Sequence, residues 1–155
     1  MALFEVEDIN ALKPLEGQEL PPTDWFVLSQ ERIQKFADAT EDRQWIHIDE
    51  NRASRESPYG GTIAHGFLTL SLLSHFSAQS IRVNRGVGMR INYGLNRVRF
   101  PSPVRSGSAI RARFGLTSVR ESPEFVDVIF SATIECRGAE KACCIAEWIV
   151  RYYRA

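Results

Sequence analysis

The sequence predicts a single α+β domain over residues 1–155, in which a long antiparallel sheet curls around one nearly all-apolar helix. Three observations predict it. Two stretches of helical periodicity lie in the first half of the chain. Four segments rich in β-branched and aromatic residues follow after Arg82. The strands come as a run after the helices, which favours α+β over an alternating βαβ arrangement.

A short strand is expected over Trp25 to Leu28, and Ser29 is placed to cap a helix from Gln30 to about Ala39. Ile33, Phe36 and Ala37 share one face of that helix. A second helix is expected from near Gly66 to about Ile81, with Phe67, Leu68, Leu70, Leu72, Leu73 and Phe76 around most of its circumference. A helix apolar on nearly every side is normally buried. Its narrow polar stripe is Ser71, Ser74, His75 and Ala78. Strands are expected at roughly 87–100, 108–119, 124–135 and 142–153, with alternation visible in Arg97-Val98-Arg99-Phe100 and in Ile110 to Phe114. Pro101-Ser102-Pro103, Ser106-Gly107, Glu121-Ser122-Pro123 and Arg137-Gly138 punctuate them. There is no internal repeat, linker or low-complexity segment.

Composition bounds the function. Hydrophobic residues at 44% and charged residues at 25% are those of a soluble globular protein. Nineteen basic side chains balance nineteen acidic ones, which argues against a general nucleic-acid binder, since that needs a basic face. No apolar run is long enough to span a bilayer. The acidic start, Glu5 to Asp8, is unlike a secretory signal, so a cytoplasmic location is expected. Cys136, Cys143 and Cys144 lack zinc-type spacing with histidine and read as reduced thiols.

The chemistry concentrates in Asp42-Arg43-Gln44-Trp45-Ile46-His47 and, eighteen residues on, Ala64-His65-Gly66. A carboxylate and an imidazole five residues apart are the parts of an acid–base pair, and a His-Gly step opening a helix offers free backbone N–H groups to a developing oxyanion. Each residue also has a plain structural reading. Asp42 can be a turn aspartate bonded to its own backbone. His47, among apolar neighbours, can be a satisfied core histidine, and Asp49 can either orient its ring in an extended segment or begin the next turn. Gly66 can serve close packing alone. Ser74 and His75 can merely ease helix–sheet packing. Arg97, Arg99, Arg111 and Arg113 mark a solvent face, where some could meet the phosphates of a nucleotide-bearing substrate. A metal site from Asp42, His47, His65 and His75 lacks HExxH-type spacing, and no GxSxG elbow is present.

The segments Phe36 to Asp49 and Tyr59 to Leu68 resemble the MaoC-like dehydratases, also called the (R)-specific enoyl-CoA hydratase or hydratase 2 family. The Gln44-Trp45-Ile46-His47 variant is similar to the subgroup named for the nodulation protein NodN. Asn92-Tyr93-Gly94 and Val98 to Val104 resemble the family's later strand and turn, so the likeness covers about residues 20–152.

That resemblance implies a hot-dog fold, a homodimer joined sheet edge to sheet edge, and hydration of trans-2-enoyl thioesters to (R)-3-hydroxyacyl thioesters, or the reverse. It implies a CoA or acyl-carrier-protein thioester as substrate. No cofactor is expected beyond the coenzyme A of the substrate, and no metal, nucleic acid or membrane as partner. Carried onto this chain, Asp42 matches the water-activating carboxylate and His47 the imidazole that holds the same water. Gly66 matches the backbone donor to the thioester oxygen, and His65 beside it is grouped with the oxyanion and substrate-binding residues. Ser74 matches a supporting hydroxyl.

Two departures bear on substrate range. Glu41 stands where many relatives have Gly, which puts the turn's shape in question if the position requires a positive φ. Gln44-Trp45 replaces a common Asn-Pro, and Trp45 is expected either to crowd the acyl channel or to form part of it. Competing readings are a hot-dog thioesterase using the same oxyanion donor and a non-catalytic acyl-thioester-binding module.

Overall fold

The computed structural model describes residues 3–155. Its main sheet has five antiparallel strands, β2 (Phe26–Val27), β4 (Val87–Arg99), β5 (Ala109–Glu121), β6 (Phe125–Cys136) and β7 (Cys144–Arg154), in the order β2-β5-β6-β7-β4. Each falls within a few residues of its expected span. Alternation sets the faces: Ile110, Ala112, Phe114 and Leu116 of β5, Val126, Val128, Phe130, Ala132 and Ile134 of β6, and Ala146, Trp148, Val150 and Tyr152 of β7 are buried on one side. Register shifts at Leu116/Ser118, Asn92/Gly94 and Leu95/Arg97 add the local twist that curls such a sheet.

The helices are α1 (Gln30–Thr40), α2 (Trp45–Ile48), α3 (Glu50–Glu56), α4 (Gly66–Ser71) and α5 (Leu73–Ser80). Ser29 Oγ accepts from the Arg32 N–H at 3.2 Å, the cap expected of it. The central helix differs from expectation in being two pieces. At Leu72 one N–H is shared among the carbonyls of Leu68, Thr69 and Leu70, and the Ser71 hydroxyl bonds back to the Leu68 carbonyl at 2.7 Å. Such back-bonding competes with the helical ladder and bends it. The helix also stops at Ser80, because Ile81 turns extended into β3 (Ile81–Val83).

Leu68, Leu72, Leu73 and Phe76 bury themselves against the sheet's inner face, where the core gathers. Phe67 does not; it is 71% exposed. Strand β3 pairs in parallel with β1 (Phe4–Val6), a small second sheet unmarked in the sequence. A 3-10 helix, Ile9–Leu15, follows β1 and buries Ile9 and Leu12. Among the described residues, no helix is long and apolar enough to cross a membrane.

Candidate active site

Asp42 follows the end of α1. Glu41 caps that helix with φ 62° and ψ 10°, so the glutamate itself adopts the left-handed turn that a glycine would supply. Arg43 braces the turn, pairing with the Glu41 carboxylate and with Asp38 Oδ1 at 3.3 Å. The Asp42 side chain is left about half exposed.

His47 sits in the single helical turn of α2, which decides between the two readings of Asp49 in favour of its beginning the next turn. In a helix, residues two apart face away from each other. Asp49 accordingly orients nothing on His47 and instead caps α3, its Oδ1 accepting from the Arg52 N–H at 2.9 Å. The partner of the His47 ring is the Ile63 carbonyl, 2.7 Å from Nδ1. A carbonyl only accepts, so Nδ1 carries the proton and Nε2 keeps its lone pair.

The surrounding backbone is fixed by a residue that the sequence did not single out. Gln30 Nε2 donates to the His47 carbonyl at 2.7 Å, while its Oε1 accepts from the Thr62 hydroxyl at 2.6 Å. Burial lowers the His47 pKa below the usual histidine value. The Ile63 hydrogen bond opposes this, the neighbouring His65 adds to it, and Asp42 opposes it.

Segment 62–64 runs between two anchors: Ile63 N–H donates to Ile46 at 3.0 Å and Ala64 N–H to Val104 at 2.8 Å. It delivers His65, buried, to a seat against Phe36 and His47, with ring centroids 4.9 Å and 3.7 Å away. Its Nε2 lies 2.9 Å from the Asp42 main-chain oxygen and 4.0 Å from Asp42 Oδ2. Gly66 follows as the first residue of α4, where an N–H has no acceptor within the helix. Its φ is not positive; glycine is required by close approach. A Cβ there would sit 3.0 Å from Phe100 Cγ. Tyr59, Ala64, Gly66, Thr69, Phe100 and Pro103 are among the lining of an adjoining cavity of about 310 Å³.

Asp42, His47 and His65 thus converge, each offering a donor atom within 4.8 Å of the others. The two imidazoles are stacked at 23°, face to face rather than aimed at a common point, and one nitrogen of each already meets a backbone carbonyl. That geometry suits proton transfer better than a closed ligand shell.

Ser74 does not join the cluster. Its hydroxyl donates to Asn92 Oδ1 at 3.2 Å, at a separate cavity of about 270 Å³ lined also by Leu70, Leu73, Leu95 and Trp148. His75 pairs with Gln79 and packs on Phe26. Arg111 and Arg113 both bind Glu135, at 2.7 and 2.6 Å, whereas Arg97 and Arg99 lie exposed on β4. Trp45 carries the Arg52 guanidinium 4.3 Å above its ring.

Known proteins are similar to this chain. The 3-hydroxyacyl-thioester dehydratase Z of Mycobacterium tuberculosis is 46% identical over 147 residues, 94% of this chain and 96% of its own length. Nodulation protein N of Rhizobium meliloti is 44% identical over 142 residues, 91% and 88% of the two chains. The (R)-hydratase from A. caviae superposes with a TM-score of 0.69 at 22% identity, over 87% of this chain and 94% of that one, a likeness of fold. Residues 12–134 match the MaoC like domain, and the chain belongs to that family.

Proposed function

We propose that this protein is a hydratase/dehydratase of acyl thioesters, adding water across the trans-2 double bond of an enoyl thioester to give the (R)-3-hydroxyacyl product, or running in reverse. The observation that carries the reading is the pairing of the Asp42 carboxylate with the His47 imidazole. A carboxylate oxygen of Asp42 and a ring nitrogen of His47 lie within 4.8 Å, a separation that one water can bridge by donating to both. The relatedness to a 3-hydroxyacyl-thioester dehydratase over nearly the whole of both chains supports the same reaction class.

In the forward direction the water oxygen bonds to C3 of the enoyl group as its proton passes to the Asp42–His47 pair. Negative charge then gathers on the thioester oxygen. The Gly66 N–H is the donor assigned to that oxygen, and the same acid–base pair returns a proton to C2 on the same face. Coenzyme A, or a carrier protein's pantetheine, enters as part of the substrate, and the chemistry calls for no further cofactor.

A second copy of the chain is the proposed partner. Strand β4 is a sheet edge of thirteen residues with Met89, Tyr93 and Leu95 exposed, and Phe67 and Phe100 are exposed as well. A long, apolar free edge of this kind is normally covered. Three unpaired cysteines suit a reducing, cytoplasmic setting.

Crotonyl-CoA and butyryl-CoA presented to the purified protein separate hydratase from thioesterase. Loss of enoyl absorbance without thiol release is the expected result. Thiol release from both thioesters would replace this reading with the thioesterase one.

A further inference from the structure

His65 is a buried titratable group beside the proposed acid–base pair for which the proposed chemistry has no step. It is 3% exposed, and its Nδ1 is buried with no hydrogen-bond partner among the described residues. A buried polar atom left in that condition has a cost, so the ring's other contacts must offset it. Two of them involve the proposed acid–base pair. Nε2 is 2.9 Å from the Asp42 carbonyl oxygen and must carry the hydrogen, because a carbonyl cannot donate. The ring face lies 3.7 Å from the His47 imidazole. Phe36 also packs against the His65 ring, centroids 4.9 Å apart and tilted by 56°.

Asp42 needs such a tie. It stands in the link between α1 and α2, outside regular structure, with its side chain half exposed. Among the described residues, the bond from His65 is the one its carbonyl makes. His47 has its edge held by Ile63, while its face is held by His65.

We propose that His65 is a positioning residue: its Nε2–H clamps the Asp42 main chain while its ring seats the His47 imidazole, fixing the two groups in register for one shared water. The proposal rests on the reading of Asp42 and His47 as the acid–base pair. It assigns His65 no contact with substrate, in place of the substrate-facing role that its place beside Gly66 first implied.

Two substitutions divide the contacts. His65→Phe keeps the ring and removes the donor; His65→Gln keeps an amide donor and removes the ring. Steady-state kinetics on the saturating enoyl thioester, beside thermal melts, give the readout. The expected result is a fall in kcat of about tenfold or more in His65→Phe at nearly constant KM, since small misplacements of reacting groups are costly. His65→Gln should recover part of that loss. Should His65→Phe not fold, His65→Gln carries the test with a kcat a few-fold below wild type at unchanged KM.

A kcat within about twofold of wild type in the folded variants, with only the melting temperature lowered, would reduce His65 to a packing residue and overturn the proposal. Asp42→Asn run alongside separates the two readings. An active Asp42→Asn defeats the acid–base pair itself, whereas an inactive Asp42→Asn beside a fully active His65→Phe defeats only the role given to His65.

Discussion

The imidazoles of His47 and His65 lie face to face, centroids 3.7 Å apart and planes within 23°. Burial and this neighbour hold the His47 pKa below its usual value of 6.5, against the Ile63 hydrogen bond and the Asp42 charge. If His47 must be neutral to accept a proton, the acidic limb of kcat/KM lies below the ordinary histidine range, and activity persists into mildly acidic solution. Stability follows the same sign. Between 6.5 and the lowered value the unfolded chain binds a proton that the folded one does not, so this group's contribution to stability is full above 6.5 and declines as pH falls. A pH–rate profile with its acidic limb at or above 6.5 would contradict the assignment.

Glu41 occupies a left-handed conformation at φ 62°. For a residue with a Cβ that costs roughly 1–2 kcal/mol, while glycine adds about 0.5–1 kcal/mol of unfolded-state freedom. Glu41→Gly should therefore leave the melting temperature unchanged or raise it slightly, despite losing the exposed pairing with Arg43. Glu41→Val, β-branched at positive φ, should lower it by several degrees. Thermal melts of both variants check the pair of expectations.

A methyl group on Gly66 would sit 3.0–3.2 Å from three atoms of the Phe100 ring. The atoms met are those of a side-chain ring rather than backbone, and a shift of a few tenths of an ångström relieves the contact, so Gly66→Ala should fold. The displaced ring should nevertheless disturb the adjoining cavity and lower kcat/KM by about tenfold. Adding Phe100→Ala to Gly66→Ala should recover part of the loss. Activity unaffected by Gly66→Ala would show that the close approach is irrelevant to substrate.

Burial pushes the thiol of Cys143 up to about 12 and that of Cys144 up to about 11. Thiolate is the reactive form, so neither should be alkylated quickly in the native protein near pH 8. Half-buried Cys136 should account for the fast fraction of iodoacetamide labelling, with the other two appearing on denaturation. Mass spectrometry of the labelled peptides tests this.

The long strands and α1 were legible because they repeat a period over many residues, and Ser29 announced its helix. The break at Leu72 was not, since it depends on Ser71 choosing the Leu68 carbonyl over solvent. Nor was the turn of α2, four residues long, whose short span carries no period to read. Strands β1 and β3, three residues each, exist through each other's pairing.

At the candidate site, residue types and their order singled out Asp42, His47 and Gly66, and the structure brings Asp42 and His47 together, while the contacts that hold them stayed hidden. Gln30, Thr62 and the Ile63 carbonyl act through backbone contacts that leave no motif. Ser74, placed by resemblance alone, lies at another cavity beside Asn92. The central helix apolar nearly all round explains Phe76 in the core, yet not exposed Phe67, which a second subunit is proposed to cover.

Chiral analysis of the product formed from crotonyl-CoA by the wild-type protein and by Asp42→Asn and His47→Ala tests the acid–base pair and the reaction together. Wild type should give (R)-3-hydroxybutyryl-CoA, and each variant should be slower by about 10²–10⁴-fold with folding intact by circular dichroism. Near-normal hydration by either folded variant, or an (S) product, would contradict this reading of the site.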